Sequence, residues 1–239
     1  MAGHNKWSSI KHKKAKTDAQ RGKVFSKISK EIIMATKLGG VDAEMNPRLR
    51  LALQKAKEAN MPNDNIKRAL EKGSGSSDDS NLEEIQFEAY GPMGVAILID
   101  TLTDNRNRTV SNLKAILNKA GATMAQKGAV GYLFNTKGLL IFSEFENEDD
   151  IIDLAIENGA DDVQITDEST IEVITPFTEF ESIKKEFDMK NFCYDTASIT
   201  KIPSTFISLE NSQKESFLKL YEKLEDDDDV QDVYSNASF

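Results

Sequence analysis

The stretch that decides the fold is residues 138–174, GLLIFSEFENEDDIIDLAIENGADDVQITDESTIEVI. It begins and ends with short apolar runs typical of strands, and residues 151–157 between them repeat apolar side chains at helical spacing. A second helix near 179–187 and a strand over 194–202 follow. The order across residues 133–202 is therefore β-α-β-β-α-β, which is the order of a ferredoxin-like unit.

The segments that flank this unit predict a second α/β domain. Residues 81–132 contain two strand-like runs, an amphipathic helix and a further strand at about residues 129–134. Residues 203–239 add a strand, a helix and a closing strand. We expect the two segments to close one discontinuous domain into which residues 133–202 are inserted.

The first 75 residues have the periodicity of a small helical bundle. Three amphipathic segments are separated by Gly39-Gly40, with Asn46-Pro47 and Met61-Pro62 as helix starts. A linker rich in Gly, Ser and Asp follows at residues 73–80. The predicted fold class is α+β, with a basic helical domain over residues 1–75 followed by two α/β domains, the inserted one ferredoxin-like and acidic.

The formal charge of −10 conceals a strong asymmetry along the chain. Residues 1–75 carry a net charge of +10, residues 76–142 carry −1 and residues 143–239 carry −19. A basic module attracts polyanions, whereas an acidic body repels them. Such a chain is expected to orient itself on nucleic acid, or to fold partly onto itself when no nucleic acid is present.

Composition argues against several other classes of protein. The longest apolar run, residues 94–99, is far shorter than the roughly 20 residues that span a bilayer, and we see no secretion signal. The single cysteine, Cys193, cannot form a disulfide framework or a thiolate metal cluster within one chain, and we expect it to pack as a small hydrophobic residue. We therefore expect a cytoplasmic protein.

The predicted α/β region shows no constellation of catalytic side chains. Both histidines lie in the basic N-terminal segment, and no glycine-rich phosphate-binding loop is present. Nothing in the sequence positions a pair of carboxylates for acid and base catalysis. We expect no enzymatic activity, no cofactor, no metal and no small-molecule substrate.

The strongest candidate site is the basic N-terminal segment. Between Lys6 and Lys27 it holds eight Lys or Arg residues and one acid, Asp18. Cations at this density release counterions from phosphates, and Trp and His side chains add flat faces for stacking on unpaired bases. The competing interpretations are a solvated charged arm, a packed Trp7 and a mitochondrial transit peptide. The candidate nucleic-acid contacts in this segment are His4, Lys6, Trp7, Lys11, His12, Lys13, Lys14, Lys16, Arg21, Lys23 and Lys27.

A second candidate site is formed by Arg106 and Arg108, between a predicted strand and a predicted helix. Cations at the positive end of a helix are unfavourable unless an anion joins them. A phosphate would satisfy both arginines and the free backbone N–H groups of the helix. The alternative partner is an internal carboxylate, from Asp100, Asp104 or Glu88.

The acidic run Glu225-Asp226-Asp227-Asp228-Asp229 lies between a predicted helix and a predicted strand. It lacks the alternating ligand spacing of a calcium-binding loop. We expect a solvated turn, with an acidic patch that binds a partner as the alternative.

Three blocks of sequence resemble the YebC/PmpR family. They are residues 2–13 (AGHNKWSSIKHK), 87–96 (FEAYGPMGVA) and 103–109 (TDNRNRT), in that order along the chain. The resemblance implies three domains, a helical module and two α/β domains, without catalytic activity. It also marks the basic segment and the two arginines as candidate nucleic-acid contacts.

The resemblance implies a cytoplasmic, DNA-binding transcriptional regulator. Other members of the family act as translation factors on the ribosome, including at consecutive prolines, and a mitochondrial relative activates translation of a cytochrome oxidase subunit. No helix-turn-helix, zinc-finger or RRM signature decides between DNA and ribosomal RNA. The alternative from a different class is an interaction scaffold whose basic module docks on its own acidic body or on another protein.

Overall fold

The computed structural model of the chain describes residues 18–75, 82–143, 145–165 and 170–239. The helices are α1 (Asp18–Gly39), α2 (Pro47–Glu58), α3 (Asn63–Ser74), α4 (Arg106–Lys119), α5 (Glu148–Glu157), α6 (Phe180–Met189) and α7 (Asn211–Glu225). The strands are β1 (Glu83–Tyr90), β2 (Ala96–Thr103), β3 (Thr123–Met124), β4 (Phe134–Phe142), β5 (Asp162–Ile165), β6 (Ile171–Pro176), β7 (Thr196–Pro203), β8 (Ile207–Ser208), β9 (Val230–Ser235) and β10 (Ala237–Ser238). Short 3-10 helices cover Pro92–Gly94, Gly131–Leu133 and Phe177–Glu179.

The chain divides into two compact units. The host unit contains the described residues up to Val130 together with Leu209–Ser235, and the inserted unit contains Gly131–Ser208 and Asn236–Phe239. The predicted α+β class is confirmed, with an N-terminal helical region and two α/β regions. The boundaries of the three predicted domains, at residues 75, 132 and 202, stay a prediction.

The helical region, α1 to α3, forms because the sequence supplies both a helix cap and an apolar face. The side-chain oxygen of buried Asn46 accepts the N–H of Leu49 at 3.1 Å, and Pro47 occupies the first turn of α2, as predicted. The Asn46 amide nitrogen donates to the carbonyls of Ala35 and Gly40 at 2.8 Å each, which joins the end of α1 to the start of α2. The three helices share a core of Ile28, Ile32, Ile33, Ala35, Leu49, Ala52, Ala56, Met61 and Ala69.

The host unit contains a four-stranded antiparallel sheet in the order β3-β1-β2-β9. Strand β2 is buried along almost its whole length, which explains the apolar run Ala96–Ile99 in its first half. Helices α4 and α7 contact each other and contribute the buried side chains Leu113, Leu117, Phe217, Leu220 and Leu224. Because β9 pairs with β2, the sheet is complete only when residues 209–235 have joined it.

The strand predicted at about residues 129–134 is wrong. Residues 131–133 form a short 3-10 helix, and the strand that pairs with β1 on the side away from β2 is the two-residue β3. The buried carboxylate of Glu88 accepts the backbone N–H of Gly128 and of Val130, both at 2.6 Å. A carboxylate therefore satisfies these backbone groups in place of a neighbouring strand.

The inserted unit has the predicted ferredoxin-like order of elements. Its sheet runs β5-β6-β4-β7 with antiparallel neighbours, and α5 and α6 provide the helical connections. Helix α6 approaches β4 closely at Gly138, which faces the ring of Phe180 and the hydroxyl of Thr175. The core between the helices and the sheet consists of Leu140, Phe142, Ile151, Leu154, Ala155, Ile171, Val173, Phe180, Ile183 and Phe187. A separate two-stranded parallel sheet pairs β8 with β10.

The expected burial of Cys193 is wrong, because this side chain is exposed. The residues on either side, Phe192 and Tyr194, pack against the core of the inserted unit. The side chains on both sides of Cys193 therefore contribute to the core, whereas Cys193 itself does not.

Candidate nucleic-acid interface

The predicted nucleic-acid contacts fall into two groups. One group lies outside the described residues and consists of His4, Lys6, Trp7, Lys11, His12, Lys13, Lys14 and Lys16. In the other group, Arg21, Lys23 and Lys27 lie on α1, and Arg106 and Arg108 lie in the first turn of α4. Both of these helices belong to the host unit, so the structure brings the second group into one compact body.

Three lysines of α1 hold the acidic turn, Glu225–Asp229, by hydrogen bonds to its backbone. The pairs of lysine Nζ and backbone carbonyl oxygen are Lys23 with Asp226 (2.9 Å), Lys27 with Glu225, and Lys30 with Asp228 (2.8 Å). Intervals of four and three residues place the three lysines on one face of α1. Two of the acceptors, the carbonyls of Glu225 and Asp226, lie at the C-terminal end of α7, where carbonyls without a partner inside the helix carry its partial negative charge.

Asp229 is the buried centre of this contact. Its side chain is 2% exposed and accepts hydrogen bonds from Lys30 Nζ at 2.8 Å, Arg108 Nη2 at 2.8 Å and Thr109 Oγ1 at 2.9 Å. Its backbone carbonyl accepts the N–H of Leu102 in β2, also at 2.8 Å. A single aspartate thus connects the basic helix α1 to α4 and to the central strand of the sheet.

We expect the charge of Asp229 to make the host unit sensitive to acid. Burial by itself raises the pKa of this carboxyl, but hydrogen bonds from Lys30, Arg108 and Thr109 outweigh burial, and the pKa lies below its usual value. A depressed pKa contributes stability that is present above about pH 4 and is lost as the pH falls through the folded-state value. The free energy of unfolding, measured by urea titration from pH 7 to pH 2.5, should fall more steeply for the wild type than for Asp229→Asn. Parallel pH profiles for the two proteins would contradict this expectation.

The two arginines of α4 differ in their surroundings. Asn105 caps α4 by accepting the N–H of Arg108 at 3.1 Å. The guanidinium of Arg108 donates to Asp229 and to Asp104 at 2.8 Å each, and these hydrogen bonds raise its pKa. An internal partner is therefore confirmed for Arg108, with Asp104 as one of the carboxylates that the sequence offered. The guanidinium of Arg106 is exposed and bonds to no other residue within the described ranges.

The expectation of a solvated acidic turn is wrong at Asp229. Asp226 and Asp228 are exposed, whereas Asp229 is buried. Nothing in the local sequence distinguishes this aspartate from the three before it. The one signal that could have found it is the pair of arginines at the positive end of α4, which requires an anion. The sequence analysis considered only carboxylates close to the arginines in the chain, whereas Asp229 lies more than 100 residues further along.

Sequence reasoning also missed several exposed cations of the helical region. Arg50, Lys55 and Lys57 on α2, and Arg68 and Lys72 on α3, are exposed. None of the five forms an ion pair with another described residue. Their positive charge is exposed and is paired with no described carboxylate, and such charge attracts polyanions.

The structure supplies two further observations about ligands and membranes. Among the described residues, no group of three or more His, Cys, Asp or Glu side chains is arranged to hold a metal ion. Across the same parts of the chain, no helix combines the length and the apolar composition that crossing a bilayer requires.

Comparison with family models matches nearly the whole chain. Residues 5–76 match the model described as the TACO1/YebC protein N-terminal domain, and residues 82–237 match the TACO1/YebC second and third domain. The boundary between the two matches falls in the linker that the sequence predicts.

Individual relatives match over 95% or more of their lengths. A probable transcriptional regulatory protein of Geotalea uraniireducens is 48% identical over 236 residues, which cover 99% of this chain and 95% of the relative. A protein of the same description from Polynucleobacter asymbioticus is 44% identical over 238 residues and covers 100% of both chains. The crystal structure of a conserved hypothetical protein from Aquifex aeolicus superposes with a TM-score of 0.87 at 42% identity, covering 98% of this chain and 97% of that one.

Proposed function

The chain belongs to the TACO1/YebC family, and we propose that it is a regulator of gene expression without enzymatic activity. We propose further that it binds nucleic acid through its basic helical region. The names of its relatives, probable transcriptional regulatory proteins, favour a transcriptional regulator, and we propose that it acts on DNA in the cytoplasm. Binding to ribosomal RNA, as a translation factor that relieves stalling, is the second form of the same proposal.

The charge distribution carries this proposal. Residues 1–75 have a net charge of +10 on a chain whose total is −10. On the described helices of this region, exposed cations without internal partners include Arg50 and Lys57 on α2 and Arg68 on α3. A polyanion that approached this region would gain Coulomb energy and release its counterions, whereas the acidic remainder would repel it. The contacts we propose for it are the basic segment before α1, the α1 cations and the exposed Arg106.

We expect reversal of charge at Lys11, Lys13 and Lys14 to weaken nucleic-acid binding strongly. The slope of log K against log salt is negative, and each lost phosphate contact makes it less negative by about 0.7 to 0.9, so three should reduce its magnitude by roughly 2 to 3. At moderate salt the affinity for a labelled oligonucleotide should fall by roughly 10- to 100-fold. Fluorescence anisotropy across a salt series measures both quantities, and circular dichroism checks that the variant remains folded.

A matched control reverses three exposed lysines elsewhere, Lys114, Lys185 and Lys190. This variant has the same net charge as the first, so it separates a local contact from a general change in charge. If both variants lost the same affinity, the basic segment would not be the surface that binds nucleic acid.

Parallel titrations decide whether DNA or ribosomal RNA is the target. The intact chain is titrated against ribosomes and against random duplex DNA across one salt series. Ribosome binding that persists after the DNA signal has disappeared supports a translation factor, because nonspecific contacts to phosphates are the first to be lost as salt rises. Sequence-dependent binding to DNA supports the transcriptional regulator.

One observation favours a different class, a protein-interaction scaffold without nucleic acid. The α1 lysines bond to the chain's own acidic turn, which is what a basic module that docks on an acidic body would do. The salt titrations decide this alternative as well, since a scaffold of this kind would bind neither ribosomes nor DNA at low salt.

A further inference from the structure

We propose that the acidic turn, Glu225–Asp229, is an intramolecular competitor for nucleic acid that covers a phosphate-binding face of α1. The inference rests on the proposed function and specifies its regulation: the same lysines serve the turn in the free protein and the phosphates in the complex. The face consists of Lys23 and Lys27, with Lys30 as its fixed end.

The contacts of the turn resemble those that a nucleic-acid backbone would make. Lys23, Lys27 and Lys30 each point a single ammonium group at an oxygen acceptor of the turn. Lysine binds phosphate in the same way, as a point charge with rotatable donors. The exposed carboxylates of Asp226 and Asp228 beside these acceptors add the negative field that a phosphate chain would also bring.

The two ends of the face differ in how firmly they are held. Lys30 also pairs with the buried carboxylate of Asp229, at 2.8 Å, so it stays in place as part of the fold. Lys23 is exposed and donates to the backbone carbonyl of Asp226, which carries no formal charge, whereas Lys27 is half-buried and donates to the backbone carbonyl of Glu225. A phosphodiester carries a full negative charge shared by its two non-bridging oxygens, and an ammonium group bonds to these more strongly than to a neutral carbonyl. Polyanions are therefore able to displace Glu225 and Asp226 while the anchor at Asp229 remains.

The decisive test locks the turn onto α1 in the intact chain. Lys23 and Asp226 are replaced by cysteine in a Cys193→Ser background and joined by a reducible bismaleimide linker. The probes are a fluorescein-labelled 20-nucleotide uridine RNA and a labelled 20-base-pair duplex DNA. We expect the linked protein to bind the preferred probe at least about 5-fold more weakly than the unlinked variant, with recovery after the linker is reduced.

The control for the linker uses Lys67 and Glu71, which lie one turn apart on α3 with Nζ and Oε1 3.9 Å apart. The Lys67→Cys, Glu71→Cys variant also loses one base and one acid, and its linker closes within one helix. Its affinity should be the same before and after linking. If linking lowers the affinity of the control as much as it lowers the affinity of the variant linked at positions 23 and 226, the proposal is overturned.

A second experiment weakens the acidic turn as a competitor by removing two of its charges. Asp226→Asn with Asp228→Asn should raise affinity by about 3- to 10-fold at low salt, more than the charge-matched pair Asp153→Asn with Glu157→Gln on α5. If the wild type binds and neither locking nor neutralising the turn changes its affinity, the competitor is refuted and the proposed function stands. If no form binds either probe, the Asp226 and Asp228 variant included, both proposals fall.

Discussion

Replacing Asp229 by alanine is expected to lower the free energy of unfolding by about 3 to 5 kcal/mol. The substitution leaves Lys30 and Arg108 facing each other without the carboxylate that both contact at 2.8 Å. It also leaves the buried hydroxyl of Thr109 without one of its partners. Urea denaturation followed by circular dichroism measures the loss, which should appear as a lower midpoint with an unchanged slope.

The neighbouring residue provides the control for this prediction. Asp228→Ala removes the same carboxylate from an exposed position and keeps the backbone carbonyl that Lys30 contacts. Substitutions at such surface positions usually change stability by no more than about 0.5 kcal/mol. Similar losses for the two variants would show that Asp229 contributes only its charge and not the buried network.

Replacing Gly138 by alanine is expected to destabilise the inserted unit by about 3 kcal/mol or more. An added Cβ would lie 2.3 Å from both Phe180 Cδ2 and Thr175 Oγ1, and 2.8 Å from Phe180 Cβ. Because a Cβ is fixed to its backbone, rotation of the ring cannot relieve the clash, and α6 must move away from β4. Hydrogen exchange should show that amides within residues 131–208 lose protection well before those of the host unit.

A second glycine gives the opposite expectation and serves as the control. Gly22 lies within α1, and a Cβ added there meets no atom within 4 Å. Gly22→Ala should therefore stabilise the protein by up to about 1 kcal/mol, through the helix propensity of alanine alone. A gain in stability at Gly138, or a large loss at Gly22, would contradict the packing described for the two positions.

Local sequence signals predicted most of the elements correctly. The cap at Asn46, the proline after it and the glycines that end α1 are short-range features, and each acts in the structure as the sequence indicates. The β-α-β-β-α-β order of the inserted unit follows from alternating strand and helix periodicities, which are also local. The fold class could therefore be predicted from the residues alone.

The features that could not be predicted depend on residues distant in the chain. The segment around Val130 resembles a strand, but Glu88, 42 residues earlier, takes up its backbone donor. Asp229 is one of four consecutive aspartates, and its burial follows from α1 and α4, which begin more than 100 residues before it. No window of local sequence contains both partners of such contacts, so their effect on the fold is visible only in three dimensions.

The interruption of the host unit by residues 131–208 sets an order of folding during synthesis. The four strands and two helices of the ferredoxin-like order are complete once Pro203 has been added, whereas the host sheet needs β9 at Val230–Ser235. Domains tend to fold as they emerge from the ribosome. The ferredoxin-like part of the inserted unit, from β4 to β7, can therefore fold first, and the lysines of α1 that contact the turn stay uncovered until Asp229 has been synthesised. The nascent chain thus passes through an interval in which its basic face is open to any nearby polyanion, the ribosome that is making it included.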